Sequence, residues 1–300
     1  NYTINMSVLG ELSNDCRFEK IIVIGVGTVA TNCAKLIKEK NLDLLFIESR
    51  NDNSAFAKNF CEKNRIDYLQ LDKEALTNLF LNLDAATLII SVSNRYLFPS
   101  SILSKSNITV INYHGALLPK YPGRNAEAWA IFNNDKVAGI TWHYVVEVVD
   151  AGAIITQKSL ALTSKVTSFS LLRAYSKMAF EAFVEIIDQV LLQTVDVIHQ
   201  NFNERQAIKY SWQKPNDGQL DFNWSSEAIS AFLRAMDYGP LQVLGLPYFY
   251  FEDEKYEFSK YKIVEELTTL DNGTLALLNN ELVIERNNFK FILSELKVVE

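Results

Sequence analysis

Cysteine is scarce in this chain of 300 residues: Cys16, Cys33 and Cys61 are odd in number and form no Cys-x-x-Cys pair. That pattern gives no disulfide framework, and free cysteine behaves as a small buried hydrophobe. Histidine is as rare, with three residues and no ligand spacing, so no metal is expected. Positive charge is in deficit, 29 Lys and Arg against 36 Asp and Glu, a net −7. Such a balance offers no general attraction to nucleic-acid phosphates or anionic lipid, although a local basic patch can coexist with it. No apolar run approaches the ~20 residues of a membrane span. The opening "NYTINMSVLGELSND" lacks the basic start and long apolar run of a secretory signal. The expected setting is a reducing cytoplasm, with no membrane partner and nucleic acid disfavoured.

What is present suits a large soluble core: 48% of the residues are apolar and 22% charged, in one large domain or two ordinary ones. "IIVIGV" is a continuous β-branched run, as a parallel strand buried on both faces requires. Helical spacing from Thr28 to Lys40 follows, then the strand "LDLLFIE". The alternation continues through a helix at Ser54 to Asn64, "IDYLQL", "KEALTNLFLNL", "ATLIISVS", a short helix "PSSILSK" and "ITVINYH". Two further strands, "GITWHYVV" and "AIITQKSLAL", precede a long amphipathic helix from Ser168 to Val195. The pattern predicts an open, mostly parallel α/β sheet with helices on both faces, over residues 1–200. Residues 201–300 read as a linker, one helix with Ser225 or Ser226 as cap, and short β runs separated by Asn, Asp and Gly turns. They predict a small β-rich, barrel-like domain.

Two constellations carry chemistry. "GVGTVA" places Gly25, Gly27 and Ala30 between strand and helix, with Glu48 ending the next strand. Backbone amides in such a turn can approach a diphosphate, and the acid can hold a ribose hydroxyl, so an NAD-dependent oxidoreductase is one reading. A tight turn in a parallel sheet favours small residues for its own reasons, which is the plainer account. The second lies in "VINYHGALLPKYPGRNAEAWAIF". Asn112 and His114 are two apart on a strand, so they share a side, and they stand at its carboxyl end where open α/β sheets bind ligands. Asp150 follows in "DAGAI" as a turn carboxylate. His143, in "TWHYV", reads as a structural strand residue.

"INYHGALLPKYPGRNAEAWAIFNND" followed by "GITWHYVVEVVDAGAIITQ" resembles the folate-dependent formyltransferase family, whose pattern is Asn-x-His, a Leu-Leu-Pro loop with a glycine, then an Asp-x-Gly turn about 30 residues on. "SVSNRYLFPSSIL" and "KPNDGQLDFNWSSEAISAFLRAMDYGP" extend the resemblance, more weakly, over about residues 20 to 260. One departure is Ala116, where a serine is common; it bears on loop hydrogen bonding. The glycine turn at Gly25 is another.

The resemblance implies a Rossmann-like catalytic domain and transfer of a formyl group from 10-formyltetrahydrofolate, a co-substrate, to a primary amine. It gives Asn112, His114 and Asp150 as catalytic: Asn112 stabilises the oxygen that gains charge, His114 donates to it or handles the amine proton, and Asp150 orients His114. Ser93, Asn94, Arg95, Tyr96, Leu97, Gly115, Leu118, Val145 and Val146 are expected around the pterin. Tyr121, Gly123, Arg124, Asn125 and Trp129 are expected at the amine substrate, with Tyr121, Trp129 and Tyr238 offering rings to a base. The acceptor favoured is a nucleotide-linked amino sugar. An aminoacyl group on a carrier protein and methionyl-tRNA remain open, as does a catalytically dead binding module. A homodimer is also open.

Overall fold

A computed structural model describes residues 15–49, 55–265 and 275–299. Strands β1 (Lys20–Gly25), β2 (Leu44–Glu48), β3 (Asp67–Gln70), β4 (Thr87–Val92) and β5 (Ile108–His114) run parallel in the order β3-β2-β1-β4-β5. Parallel neighbours need long crossovers, and these carry α1 (Gly27–Glu39), α2 (Phe56–Asn64), α3 (Lys73–Leu81) and α4 (Ser100–Leu103). The apolar run "TLIISV" is buried at every position of β4, which lies between β1 and β5. In α3 the Asp72 carboxylate accepts from the Ala75 N–H at 2.8 Å, an N-cap. Leu76 and Phe80, one turn apart, then enter the same core as Ile24, Ile89 and Tyr96.

The sheet turns antiparallel after β5. Between β5 and β6 (Val137–Tyr144) lies α5 (Ala126–Phe132), and β7 (Ile154–Ala161) closes the seven-stranded order. The sequence reading left α5 inside the Gly/Pro-rich loop. It is seven residues long and follows Asn125, an N-cap that is left-handed (φ 55°) with no side-chain cap bond, so neither its length nor its cap advertises it. α6 (Ser168–Leu192) follows, and its Ala179 carbonyl accepts the indole N–H of the fully buried Trp142 at 2.9 Å.

The chain divides into two compact units, each assembled from separate segments. The first holds the described residues up to 122, with 139–159 and 174–208. The second holds 123–138, 160–173 and the described residues from 209 on. Within the second, α5 packs with α7 (Ser226–Met236), where the Phe132 ring lies 6.4 Å from Phe232 and 5.8 Å from Trp224. Ser225 caps α7, its Oγ accepting from Ala228 N–H at 3.2 Å.

Strands β8 (Tyr248–Phe251), β9 (Glu254–Glu265), β10 (Leu275–Leu278), β11 (Glu281–Arg286) and β12 (Phe289–Val299) form one antiparallel sheet, ordered β10-β11-β12-β9-β8. Its two-residue turns at Glu252-Asp253, Asn279-Asn280 and Asn287-Asn288 have positive φ at both positions. That is the turn geometry whose twist matches a hairpin, and Asn and Asp tolerate it best after glycine. The β-rich C-terminal region read from the sequence is therefore present, as an open five-stranded sheet.

Candidate active site

Asn112 and His114 share a side of β5 because side chains alternate along a strand. The antiparallel partner adds the rest: register sets Asn112 opposite His143 and His114 opposite Thr141. His143, read from sequence as a structural strand residue, is indeed buried in β6, but its ring also joins this cluster. Only the pairing of two strands distant in sequence could have revealed it.

Each imidazole has one nitrogen fixed by a backbone carbonyl. His114 Nε2 is 2.8 Å from the Tyr121 carbonyl and His143 Nδ1 is 2.8 Å from the Tyr144 carbonyl. A carbonyl only accepts, so both nitrogens are N–H donors. The opposite nitrogens face a single carboxylate: His114 Nδ1 is 3.7 Å from Asp150 Oδ2, and His143 Nε2 is 3.5 Å from Asp150 Oδ1. These side chains are 8%, 2% and 10% exposed for His114, His143 and Asp150. The Asn112 amide is oriented as well. Its oxygen accepts from Ser91 Oγ at 2.8 Å, and its nitrogen lies 3.2 Å from His143 Nε2. One amide N–H is directed at that ring, and the other, with no partner among the described residues, can donate to a ligand oxygen.

Asp150 is held in a left-handed conformation, φ 51°, which a non-glycine residue adopts at some cost. The surroundings enforce it. Gly152 packs so tightly on the end of β6 that a Cβ would lie 1.7 Å from the Tyr144 carbonyl oxygen. Gln200 Nε2 donates to the carbonyls of Asp150 and Gly152 at 2.9 and 2.7 Å, and Arg205 donates to the carbonyls of Asp150 and Val149. Arg205 lies in the stretch that reads as linker and Gln200 is the last residue before it. Their mixed polarity gave no sign of this clamp.

The loop after β5 is also braced. Thr141 Oγ1 donates to the Ala116 carbonyl at 2.6 Å and accepts from Leu118 N–H, while Gln157 Nε2 donates to Thr141 Oγ1 and to the Leu118 carbonyl. Gly115 and the buried Leu118 belong to this braced segment. Ser93 (φ 50°), Arg95 and Leu97 are exposed, Leu97 at 67%. Asn94 instead serves the loop itself, accepting from Tyr96 N–H and donating to the Tyr96 carbonyl. The Tyr96 ring is core, edge-on to Phe80. Val145 N–H donates to the Val110 carbonyl, Val146 is 43% exposed, and Ser100 Oγ donates to Glu147 at 3.0 Å, tying the loop after β6 to the start of α4.

The expected substrate residues divide. Tyr121 is in the first unit, left-handed (φ 53°), its ring buried and its carbonyl on His114. Gly123, Arg124, Asn125 and Trp129 fall in the second unit. There Arg124 N–H donates to the Lys209 carbonyl and Lys209 Nζ sits 4.0 Å above the Trp129 ring, whose indole N–H has no acceptor among the described residues. Tyr238 corrects the sequence reading. Its ring is fully buried and its hydroxyl donates to Glu127 at 2.7 Å, so it offers no face to a base. Burial raises the Glu127 carboxyl above its ordinary range, partly countered by the Tyr238 hydrogen bond.

The rival glycine-turn reading loses its acid. Glu48 is buried, 3% exposed, and its Oε2 accepts the Tyr68 hydroxyl at 2.8 Å, so it is not presented to a ribose. Gly25 is needed for packing, because a Cβ there would lie 1.8 Å from the Val92 carbonyl oxygen. Cys33 and Cys61 are buried, and burial pushes the Cys61 thiol up to about 12.

A mixed, mostly parallel sheet of this order, with an oriented amide, two imidazoles and a carboxylate beside the end of β5, defines an α/β protein equipped for proton transfer and for hydrogen-bonding a developing oxyanion. Residues 20–187 match the family described as formyl transferase, and the chain belongs to it: this is an enzyme that transfers formyl groups. It is 22% identical over 302 residues to the methionyl-tRNA formyltransferase of Malacoplasma penetrans, covering 97% of this chain and 92% of the relative. It is 33% identical over 153 residues to the GDP-perosamine N-formyltransferase of Brucella melitensis, covering 51% of this chain and 58% of the relative. The fold is shared with a Helicobacter canadensis N-formyltransferase solved with folinic acid and dTDP-3-aminofucose (TM-score 0.73, 18% identity, 92% of this chain and 99% of that one). It is shared too with WlaRD, a sugar 3N-formyltransferase solved with dTDP and 5-N-formyl-THF (TM-score 0.71, 20% identity, 93% and 98%).

Proposed function

We propose that this formyltransferase takes its formyl group from 10-formyltetrahydrofolate and passes it to the amine of a nucleotide-linked amino sugar. One observation carries the chemical part: one nitrogen of each of two imidazoles faces a single carboxylate, beside an amide with an N–H to spare among the described residues. The fit to a folate rests on the exposed Leu97 and Val146, apolar side chains on the loops after β4 and β6, with Ser100 bonded to Glu147 across those loops. When bound there, the folate supplies an activated formyl carbon.

The residues then have definite work. As the amine approaches the formyl carbon, the free Asn112 N–H meets the oxygen that gains negative charge. Ser91 keeps the amide from presenting its own oxygen instead. The proton leaving the amine goes to the lone pair of His114 Nδ1, where it sits beside Asp150 and can be returned to the departing nitrogen. His143 orients Asn112 and shares the carboxylate. The separations of 3.5 and 3.7 Å are longer than good hydrogen bonds, and such contacts commonly tighten when substrate enters.

The amino-sugar acceptor is supported by the perosamine relative and by the two sugar formyltransferases that share the fold. Methionyl-tRNA is the second reading, favoured by the relative that matches nearly the whole chain. The net charge of −7 weighs against it. The test is incubation with 10-formyltetrahydrofolate and a panel of dTDP- and GDP-linked 3- and 4-amino sugars, a carrier-bound aminoacyl group and methionyl-tRNA, read by mass spectrometry. One amino sugar gaining a formyl group faster than every other acceptor is the expected result. Turnover of methionyl-tRNA alone would overturn the acceptor assignment, and no turnover with any acceptor would overturn the folate donor.

A further inference from the structure

The second unit contains a cavity of about 460 Å³, walled by the end of α5, the 162–167 loop, α7, β9 and β12. None of Asn112, His114, His143 and Asp150 lines it. Its volume is in the range of small-molecule sites. On α7 the apolar face that builds the core also carries Arg234, only 7% exposed, and its guanidinium is part of the cavity wall.

Arg234 Nε donates to Ser230 Oγ at 3.2 Å and Nη1 to the Val166 carbonyl at 3.0 Å. A guanidinium has five N–H donors, so most are unspent. Among the described residues no carboxylate pairs with it. The near candidate, Asp237, is turned to other donors, with Oδ2 accepting the Tyr261 hydroxyl at 2.8 Å and Oδ1 the Gly239 N–H at 2.9 Å. Burial draws the Arg234 pKa below its ordinary value, as expected of a cation without a counter-charge. A buried, unpaired cation is costly unless something balances it.

The remaining lining says what could. Lys136 and Lys165 are exposed on the wall and add positive charge around Arg234. Glu265 supplies a hydrogen-bond acceptor and Ile263 and Phe289 an apolar surface, while Asp135 and Glu227 are the wall's other carboxylates, Glu227 already accepting hydrogen bonds at the start of α7. A bare anion would leave the Glu265 acceptor and that surface unused. We propose that this cavity binds a phosphorylated sugar, its phosphate on Arg234 with Lys136 and Lys165, a hydroxyl donating to Glu265. The planar fork of arginine suits two oxygens of one phosphate. The site is separate from formyl transfer and does not depend on which amine accepts the formyl group.

Isothermal titration calorimetry of the full chain with ribose 5-phosphate and with inorganic phosphate tests this. One equivalent of ribose 5-phosphate is expected to bind, more tightly than inorganic phosphate, and Arg234→Gln is expected to weaken it by at least about tenfold while formyl transfer is unchanged. Should Arg234→Gln fail to fold, the exposed pair Lys136→Glu with Lys165→Glu must weaken binding by a similar factor. Absence of binding to the wild type overturns the proposal. So does undiminished affinity in the variants, which would place the ligand elsewhere, and so does inorganic phosphate binding as tightly as the sugar phosphate.

Discussion

At the scale of single residues, Asp150 is the charged group that faces both His114 and His143 among the described residues. His114→Ala and Asp150→Ala should stay folded and lose nearly all formyl transfer, checked by turnover assay with circular dichroism; activity within about threefold of wild type would refute the proton-handling role. Asn112→Ala should lower kcat on the order of 100- to 1,000-fold, as loss of one oxyanion donor does. Glu127 offers a test by pH. Its folded pKa lies above the ordinary 4.5, so the folded state holds the proton more tightly than the unfolded state. Stability contributed by this group is therefore full below about 4.5 and declines as pH rises through the folded value. Glu127→Gln, which can still accept from Tyr238, should raise Tm at pH 8 by the equivalent of about 1 kcal/mol and leave it nearly unchanged at pH 4. A pH-independent shift would show that burial of charge is not the cause.

At the scale of elements, the Asp150 turn is a small device clamped from two directions. Gly152→Ala drives a Cβ into the Tyr144 carbonyl, so the turn must open. A loss of roughly 2–3 kcal/mol, in line with the larger steric penalties of point mutants, should accompany a fall in kcat. Gln200→Ala removes the side chain that holds both the Asp150 and Gly152 carbonyls. It should lower kcat about tenfold with a smaller effect on KM, because it acts through the position of the carboxylate. Unchanged kcat would separate the clamp from the chemistry. The elements were mostly legible in sequence because long apolar runs and capped amphipathic helices declare themselves: β5 was read at Ile108 to His114 and observed there. α5 escaped because seven residues cannot show a helical period clearly, and its stability comes from packing against α7.

At the scale of the whole molecule, the chain carries a net charge of −7 and matches both a methionyl-tRNA formyltransferase and a GDP-perosamine N-formyltransferase. A protein that grips tRNA does so through many phosphate contacts and loses affinity steeply with salt. Methionyl-tRNA is expected to be formylated at least about tenfold more slowly than the best amino sugar at physiological salt. Equal rates that fall steeply as salt is raised would reveal a basic surface and reverse the preference.

The sequence by itself determined the strand–helix alternation, the Asn112–His114 pair at a strand mouth and the polar turns of the C-terminal sheet, since each is written in residues close along the chain. Three things were decided only by tertiary structure. His143 entered the site through antiparallel register with β5, Gln200 and Arg205 came to hold the Asp150 turn, and Arg234 was left buried with no counter-charge among the described residues. In every case the partners are far apart in sequence, and contacts between distant segments arise from packing, which local patterns of hydrophobicity and turn chemistry do not encode.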